Sequence, residues 1–485
     1  MSNIADTLAD HGHEVVVFQQ QILEALREKR VIKNPRVRII DYEASEPGKQ
    51  FYGTRPKSTV AKYWTTNQAA TPWAASQFAE TMSRDLEHMC IQVFEDKDLQ
   101  HQLKEEGFDV VIAEPFDPCG LYLGDYLQIP STIVAMASAR IDPVQWAVGQ
   151  PSGLNFIPGP DSRYGEQSGL WDRANNIWMF AMRTRMFRMV YWNLLDTLRE
   201  KTGLRIRDID EIMADSAFLF FNSNPYLDFP FPSLTKCVPI GGFSMNMTKN
   251  SKLPEKLEHI LQKRPKTVYI SFGSVIRSAD MPRRYKEGLI KVFKELEDVS
   301  FIWKYEEDDV ELQKMLPGNV YLEKWLPQPA LLADSRLSLF ITHGGLGSIM
   351  EVAYSGVPAI TVPLFFDQPM NGEMLARHGA AEVYSKIELG NHEKLGALIK
   401  QILEDDEYQR NARRLAELLA KQPINPVDRL VKHAEFAAEF QKLPSLDPYS
   451  RRLNFFEFFF LDLLLVLTLP LVFAVFLLCR QADNQ

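Results

Sequence analysis

The chain has 485 residues, 46% of them hydrophobic and 24% charged, with a formal net charge of −9. That length exceeds what one hydrophobic core supports and points to two domains of about 200 residues each. The negative balance, with lysines and arginines scattered rather than interleaved with aromatics, excludes a nucleic-acid-binding surface.

The opening IADTLADHG reads as a helix and EVVVFQ as the strand after it. His11 and His13 therefore fall in the turn that precedes that strand. RVRIID (36–41) and VVIAEPF (110–116) are further strands, the latter followed by GLYLGDYLQIPSTIVAM. This alternation is the pattern of a parallel sheet covered by helices, an α/β class. Residues 170–200, rich in Trp, Met, Phe and Arg, read as a pair of amphipathic helices, and AFLFFNSNPYLDFP (217–230) and CVPIGGF (237–243) follow. The polar, lysine-rich stretch from 244 to 266, interrupted by Pro254 and Pro265, reads as a linker. A second alternating series then runs through TVYISFGSV, FIWKY, NVYLEKW, LSLFITHGG and PAITVPLF, closing with helices to about residue 440. The division expected is 1–245, a linker over 246–266, 267–445, an apolar anchor over 455–480 and a short tail over 481–485.

Cys90, Cys119, Cys237 and Cys479 are widely spaced and form no CxxC or zinc pattern. Cys479 lies in the apolar tail, and the three others read as buried free thiols. One sequon, Asn246-Met247-Thr248, suits a surface loop. From Leu463 to Cys479 no charged residue appears, a stretch of about 25 Å as a helix against a hydrocarbon core of about 30 Å. Aromatics in LNFFEFFFLD supply an interface, so the tail reads as a single membrane anchor. Arg451 and Arg452 precede it and Arg480 follows, so charge counting leaves its orientation open.

The most informative segment lies between Trp325 and Gln368. SLFIT is an apolar strand, His343-Gly344-Gly345 breaks it, and SIMEVAYSG has helical spacing. A strand feeding a glycine turn into a helix N-terminus makes a phosphate pocket. Its backbone N–H groups and helix dipole point at the anion, and glycine lets the backbone approach. Glu351 is placed to reach sugar hydroxyls, Trp325 offers a flat face to a base, and Asp367-Gln368 ends the next apolar strand. GxGxxG after the first strand is missing, which argues against a dinucleotide oxidoreductase. No D-x-D pair sits at a strand end, so metal assistance is not expected, and no cofactor is called for.

These residues resemble the signature of the UDP-glycosyltransferases, and the chain as a whole resembles their animal UDP-glucuronosyltransferase branch. The carriers are W-x-x-Q at Trp325–Gln328, H-G-G at 343–345, Glu351 and Asp367-Gln368. GHEVVVFQ, FDVVIAEPFDPCG, SFGSV and the apolar tail extend the match. The resemblance implies a GT-B fold, two Rossmann-like domains facing a cleft, with an amino-terminal acceptor domain and a carboxyl-terminal donor domain. It also implies metal-independent, inverting transfer of a hexosyl group from a UDP-sugar to a hydroxyl of a small lipophilic acceptor. The body would sit in the endoplasmic reticulum lumen, with association between related chains open.

By the same resemblance His343, Gly344, Gly345 and Ser348 meet the diphosphate, and Glu351 accepts from the ribose. Trp325 and Gln328 border the uracil, and Asp367 and Gln368 grip the sugar. Ser271, Gly273 and Ser274 form a second turn toward the phosphates. Where the family often carries Asn, this chain has Gly347, so a backbone contact replaces a side-chain one. The family's glucuronate-binding arginine falls on Asn222, which points to UDP-glucose rather than UDP-glucuronate as donor, because a desolvated carboxylate would lack its charge-assisted partner. The orienting carboxylate matches Glu114, with Asp117 as the fallback. The resemblance implies that the histidine base it would orient ends a first strand expected, with a signal peptide, ahead of Met1, and His11 and His13 are not substitutes. Three readings follow: an incomplete gene model, an inactive short isoform, or a UDP-sugar- or lipophile-binding protein. WTTNQAATPWAASQF (64–78) and the 170–192 helix are candidates to line the acceptor cleft.

Overall fold

The computed structural model describes residues 1–21, 32–46, 48–49, 61–66, 72–160, 162, 165–245, 253–274 and 276–482. In the amino-terminal half β1 (Val16–Gln21) pairs in parallel with β2 (Arg38–Glu43). A four-stranded parallel sheet runs β3 (Val110–Ala113), β4 (Ser131–Met136), β5 (Phe218–Phe221) and β6 (Cys237–Pro239). No ladder joins β1 to β3 among the described residues, yet the two share both flanking cores. Phe18 and Val111 pack on one face, and Val15 and Val110 on the other.

The carboxyl-terminal sheet has six parallel strands. These are β7 (Lys266–Ser271), β8 (Val299–Lys304), β9 (Val320–Glu323), β10 (Leu337–Thr342), β11 (Ala359–Thr361) and β12 (Ala381–Val383). Their order is β12-β11-β10-β7-β8-β9, so the winding reverses between β7 and β10. Such a switch point opens a crevice at the strands' carboxyl ends, because the loops there leave in opposite directions. β7, β8 and β10 are almost wholly buried, which explains their near-continuous apolar runs. Two parallel sheets in two Rossmann-like halves, with one carboxyl-terminal apolar helix, are the GT-B arrangement expected.

Four sequence expectations change. Residues 170–200 form not a helix pair but one continuous helix, Leu170–Thr202, because neither proline nor glycine interrupts it before Gly203 at φ +67°. It packs along helix Pro72–Glu95. Cys90 and Cys119 are not free thiols but a disulfide, since that second helix brings Cys90 to the start of helix Cys119–Tyr126 with 5.6 Å between Cα atoms. Cys237 does remain a buried thiol, its pKa pushed up to about 12 by burial. The linker region is partly helical: Glu255–Gln262 buries Leu257, Ile260 and Leu261 in the carboxyl-terminal core, while the sequon at 246–248 lies outside the described residues. Helix Pro426–Phe440, placed by its sequence position with the second half, instead packs Leu430, Val431, Ala434 and Ala437 against β4, β5 and β6.

Two further segments tie the halves together. Trp64 of the amino-terminal half is fully buried in the carboxyl-terminal core, its ring edge-on to Phe272 at 4.9 Å. Beside it Tyr63 stacks on Phe365 at 4.7 Å, and the buried Lys386 ammonium donates to the carbonyls of Tyr63, Thr66 and Leu364 at 2.7, 2.8 and 2.7 Å. After residue 440 the chain returns along the amino-terminal half, where Trp146 meets Phe458 and Phe459 at 4.7 and 5.7 Å. Helix Leu461–Ala482 follows, long and apolar enough to cross a membrane.

Candidate functional site

Because β7 and β10 are neighbours with Thr342 opposite Ser271, the turns after them face each other across the switch point. Both turns depend on glycine. Gly273 has φ +91° and a Cβ there would lie 2.7 Å from the His343 ring; Gly344 has φ +83° and a Cβ there would lie 3.1 Å from the Gln368 carbonyl oxygen. Gly345 caps helix Leu346–Ser355 with no side-chain acceptor, so the first-turn N–H groups remain directed at the crevice. Around Gly347 a Cβ would meet nothing within 4 Å, leaving its backbone accessible. Ser271 is buried and its Oγ accepts from the Gly273 N–H at 3.4 Å, whereas Ser274 is exposed.

His343 is held neutral. Burial, reinforced by the Lys304 ammonium, lowers its pKa to about 4. Its Nδ1 is buried and meets no hydrogen-bond partner among the described residues. The cation of this corner is therefore Lys304, which lies outside the motifs the sequence singles out. It ends β8, is only 7% exposed, donates to the Gly273 carbonyl and Glu306, and lies 5.6 Å from the Trp325 ring centroid. Its signal in the sequence was the single lysine closing the apolar FIWK strand at its carboxyl end.

Gln328, Ser348 and Glu351 form one network. Gln328 Nε2 donates to Ser348 Oγ at 3.0 Å and to Glu351 Oε2 at 2.7 Å, while Tyr269 donates to Gln328 Oε1 at 3.1 Å. Burial raises the Glu351 carboxyl and the Gln328 bond opposes that rise. Trp325 is 66% exposed and presents a flat surface at the rim. Gln368 is buried, and its side-chain oxygen already accepts from the Leu364 and Phe365 N–H groups at 2.8 and 3.1 Å, so its amide hydrogens are what it can offer a ligand. Asp367 is half-buried at the start of helix Gln368–Ala376. Asn371, likewise outside those motifs, braces the glycine turn by donating to the Gly344 carbonyl at 3.1 Å.

The opposing wall is built from the carboxyl ends of β3, β4 and β5. Glu114 accepts from the Ala137 N–H at 3.0 Å, and Asn222 donates to the Ala137 carbonyl at 3.0 Å, so one residue's backbone joins the two side chains. Tyr191 fixes the loop by donating to the Pro115 carbonyl at 2.8 Å. Asp117 turns inward and accepts from the Cys119 N–H at 3.1 Å; burial, then the Glu114 charge, raises its carboxyl against that bond. His13 pairs with Glu435 at 3.2 Å and His11 bonds the Thr7 carbonyl, so both are engaged with partners other than Glu114. Trp64, a candidate for the acceptor wall, serves the other half's core instead, because its ring finds a fully apolar socket there. The walls meet where Phe116 contacts Phe366, a non-glycine residue at φ +60°, at 6.0 Å.

Comparison with known proteins agrees with this geometry. The family model described as "UDP-glucoronosyl and UDP-glucosyl transferase" matches residues 1–483. Putative UDP-glucuronosyltransferase ugt-48 of Caenorhabditis elegans is 27% identical over 474 residues, covering 95% of this chain and 87% of that protein. Human UDP-glucuronosyltransferase 3A2 is 28% identical, covering 99% and 89% respectively. Among solved structures, a UDP complex of a double variant of Os79 from O. sativa superposes with a TM-score of 0.59 at 17% identity, covering 90% of this chain and 96% of that one. A kitacinnamycin glycosyltransferase gives 0.56 at 17% identity, covering 92% and 95%. At that identity the likeness concerns the fold, which is GT-B. With the family matched along nearly its whole length, the chain belongs to the UDP-glucuronosyl and UDP-glucosyl transferase family and is a UDP-sugar glycosyltransferase of that group.

Proposed function

We propose that the protein moves a glucosyl group from UDP-glucose to the hydroxyl of a small lipophilic acceptor, with inversion and without a metal. The single observation carrying this reading is the facing pair of glycine turns at the β7–β10 switch point, closed by Lys304 and the amides after Gly345. Uridine would lie along Trp325 with its ribose on Glu351, the diphosphate on the turns, and the hexose toward Asp367 and Gln368. Departure of UDP leaves negative charge on the diphosphate, which Lys304 and fixed N–H groups are placed to stabilise. Asn222 in place of a cation favours the neutral hexose. The apolar wall around Phe116 and Phe187, 5.7 Å apart, suits an aromatic or steroidal acceptor. Helix Leu461–Ala482 would anchor the body to the endoplasmic reticulum membrane.

A second reading is UDP-sugar binding without turnover, in which Glu114, whose Oε1 accepts from the Ala137 amide, only braces the cleft. Calorimetric titration with UDP, followed by turnover assays with UDP-glucose and UDP-glucuronate over a panel of phenols and steroids, distinguishes the two. Heat without product supports the binding protein; no heat with folded protein removes both.

A further inference from the structure

We propose that residues 61–66 of the amino-terminal half are a positioning strap for the donor crevice, with Tyr63 and Trp64 holding the phosphate turn and the sugar-gripping loop in place. The inference rests on the UDP reading of that crevice and adds residues that act on it through others. The contacts of the segment converge on residues beside the proposed donor contacts. The buried Trp64 ring lies edge-on to Phe272 at 4.9 Å, and Phe272 stands between Ser271 and Gly273. Trp64 Nε1 also donates to the Arg277 carbonyl at 3.3 Å, four residues beyond that glycine. Tyr63 stacks on Phe365 at 4.7 Å with the planes 16° apart. The Phe365 N–H is one of the two that hold the Gln368 side chain. The other belongs to Leu364, whose carbonyl shares the Lys386 ammonium with those of Tyr63 and Thr66.

The energetics favour a docked strap. Lys386 is buried, and two of these three carbonyl acceptors come from the strap while the third comes from the donor loop. Withdrawing the segment would take both from a desolvated ammonium, which is costly. Gly273, at φ +91°, gives the phosphate turn wide conformational freedom when it is unsupported. A strap that restricts this freedom lowers the ordering cost of binding, so its contribution is read as UDP affinity. The coupling is reciprocal: a ligand that prefers the ordered turns must also favour the docked strap. Packing alone would stabilise the fold without responding to nucleotide. Beyond the segment the chain enters helix Pro72–Glu95, which packs along Leu170–Thr202. The half proposed to take the acceptor would thereby set how tightly the other half holds the donor.

The test uses the full chain and UDP itself. Tyr63→Ala removes the stack from a half-buried ring, whereas Tyr63→Phe keeps the ring, and near-ultraviolet circular dichroism checks that both are folded. Calorimetric titration should show UDP binding about two- to tenfold weaker in Tyr63→Ala, the loss expected of one aromatic pair, and wild-type affinity in Tyr63→Phe. Hydrogen exchange is followed in parallel on the unaltered chain, so the test stands even where the alanine variant fails to fold. The Thr65 and Thr66 N–H groups donate to the Lys62 carbonyl at 3.1 and 2.9 Å and should exchange several-fold more slowly once UDP is bound. Unchanged UDP affinity in folded Tyr63→Ala, or exchange at 65 and 66 indifferent to UDP, overturns the strap and leaves the donor site standing. Absence of UDP binding by the folded wild-type chain overturns the donor reading and the strap with it.

Discussion

The rings of Phe116 and Phe366 meet edge to face at 6.0 Å, joining the loop that carries Glu114 to the loop that carries Asp367 and Gln368. In the proposed reading this contact sets the spacing between the acceptor wall and the sugar end of the donor pocket. An aromatic pair of this kind contributes about 0.5–1.5 kcal/mol beyond its buried area. Phe116→Ala is therefore expected to lower kcat/KM by a few-fold to about tenfold while leaving UDP affinity, measured by calorimetry, nearly unchanged. An equal loss in UDP affinity would place Phe116 in the donor pocket instead.

In the corner between the two glycine turns, where the diphosphate is proposed to lie, positive charge resides on Lys304, since His343 is held neutral by burial and by that same lysine. A charge-assisted hydrogen bond contributes about 1.5–3 kcal/mol. Lys304→Met should weaken UDP binding by about 10- to 100-fold, and His343→Gln by much less. The histidine also predicts a pH effect on folding. With its folded pKa near 4 and an unfolded value of about 6.5, the unfolded state takes up a proton that the folded state refuses. Stability should thus be complete above about pH 6.5 and fall as pH drops toward 4, by about 2–3 kcal/mol from this residue. Chemical denaturation across that window should show a flatter pH dependence in His343→Gln.

What the sequence conveyed about this site was whatever depends on local chain geometry. Glycine turns after apolar strands announce themselves, and the H-G-G and S-F-G corners duly lie side by side at the switch point. Lys304 was legible in principle, because a lysine closing an apolar strand at its ligand-facing end has few bland explanations. Trp64 was not: its socket is formed by Phe272 and other residues between Val268 and Ile402, and no local pattern encodes that distance. The Cys90–Cys119 bridge was hidden for the same reason, since it needs the course of helix Pro72–Glu95 to bring the two thiols together. Helix Leu170–Thr202 reads locally as a pair because its aromatic and basic residues obscure a single apolar stripe.

Trp64 yields a stability prediction. Truncating a fully buried tryptophan typically costs about 3–5 kcal/mol, and here it would also loosen a segment of one half from the core of the other. Trp64→Ala should lower Tm and, because the segment bridges two bodies, split a single thermal transition into two in scanning calorimetry. Lys386→Met, which leaves three carbonyls without their shared donor, should act in the same direction.

Glu351 and Gln328 make ribose recognition testable. If the ribose lies on Glu351 as proposed, a half-buried carboxylate shared with one amide should discriminate strongly against a nucleotide that lacks the diol, because its acceptor oxygens would then stay unpaired. UDP is expected to bind far more tightly than 2′,3′-dideoxy-UDP, and Glu351→Ala should reduce that ratio toward unity. Retention of the full ratio in the variant would move the ribose elsewhere.

In the proposed reading the donor sugar is selected beside Ala137, whose N–H serves Glu114 and whose carbonyl serves Asn222. Asn222 can satisfy a neutral hydroxyl but supplies no positive charge to a carboxylate leaving water. Asn222→Arg would add that charge within reach of the hexose while removing the bond to Ala137. The expected outcome is a gain in kcat/KM for UDP-glucuronate relative to UDP-glucose of about 10- to 100-fold, the amount that one charge-assisted bond supplies. Competition between the two donors in one reaction, read by product mass, measures the ratio directly. A wild-type preference for UDP-glucuronate would show that another cation already fills the role, and Asn222 would then lose its place in donor selection.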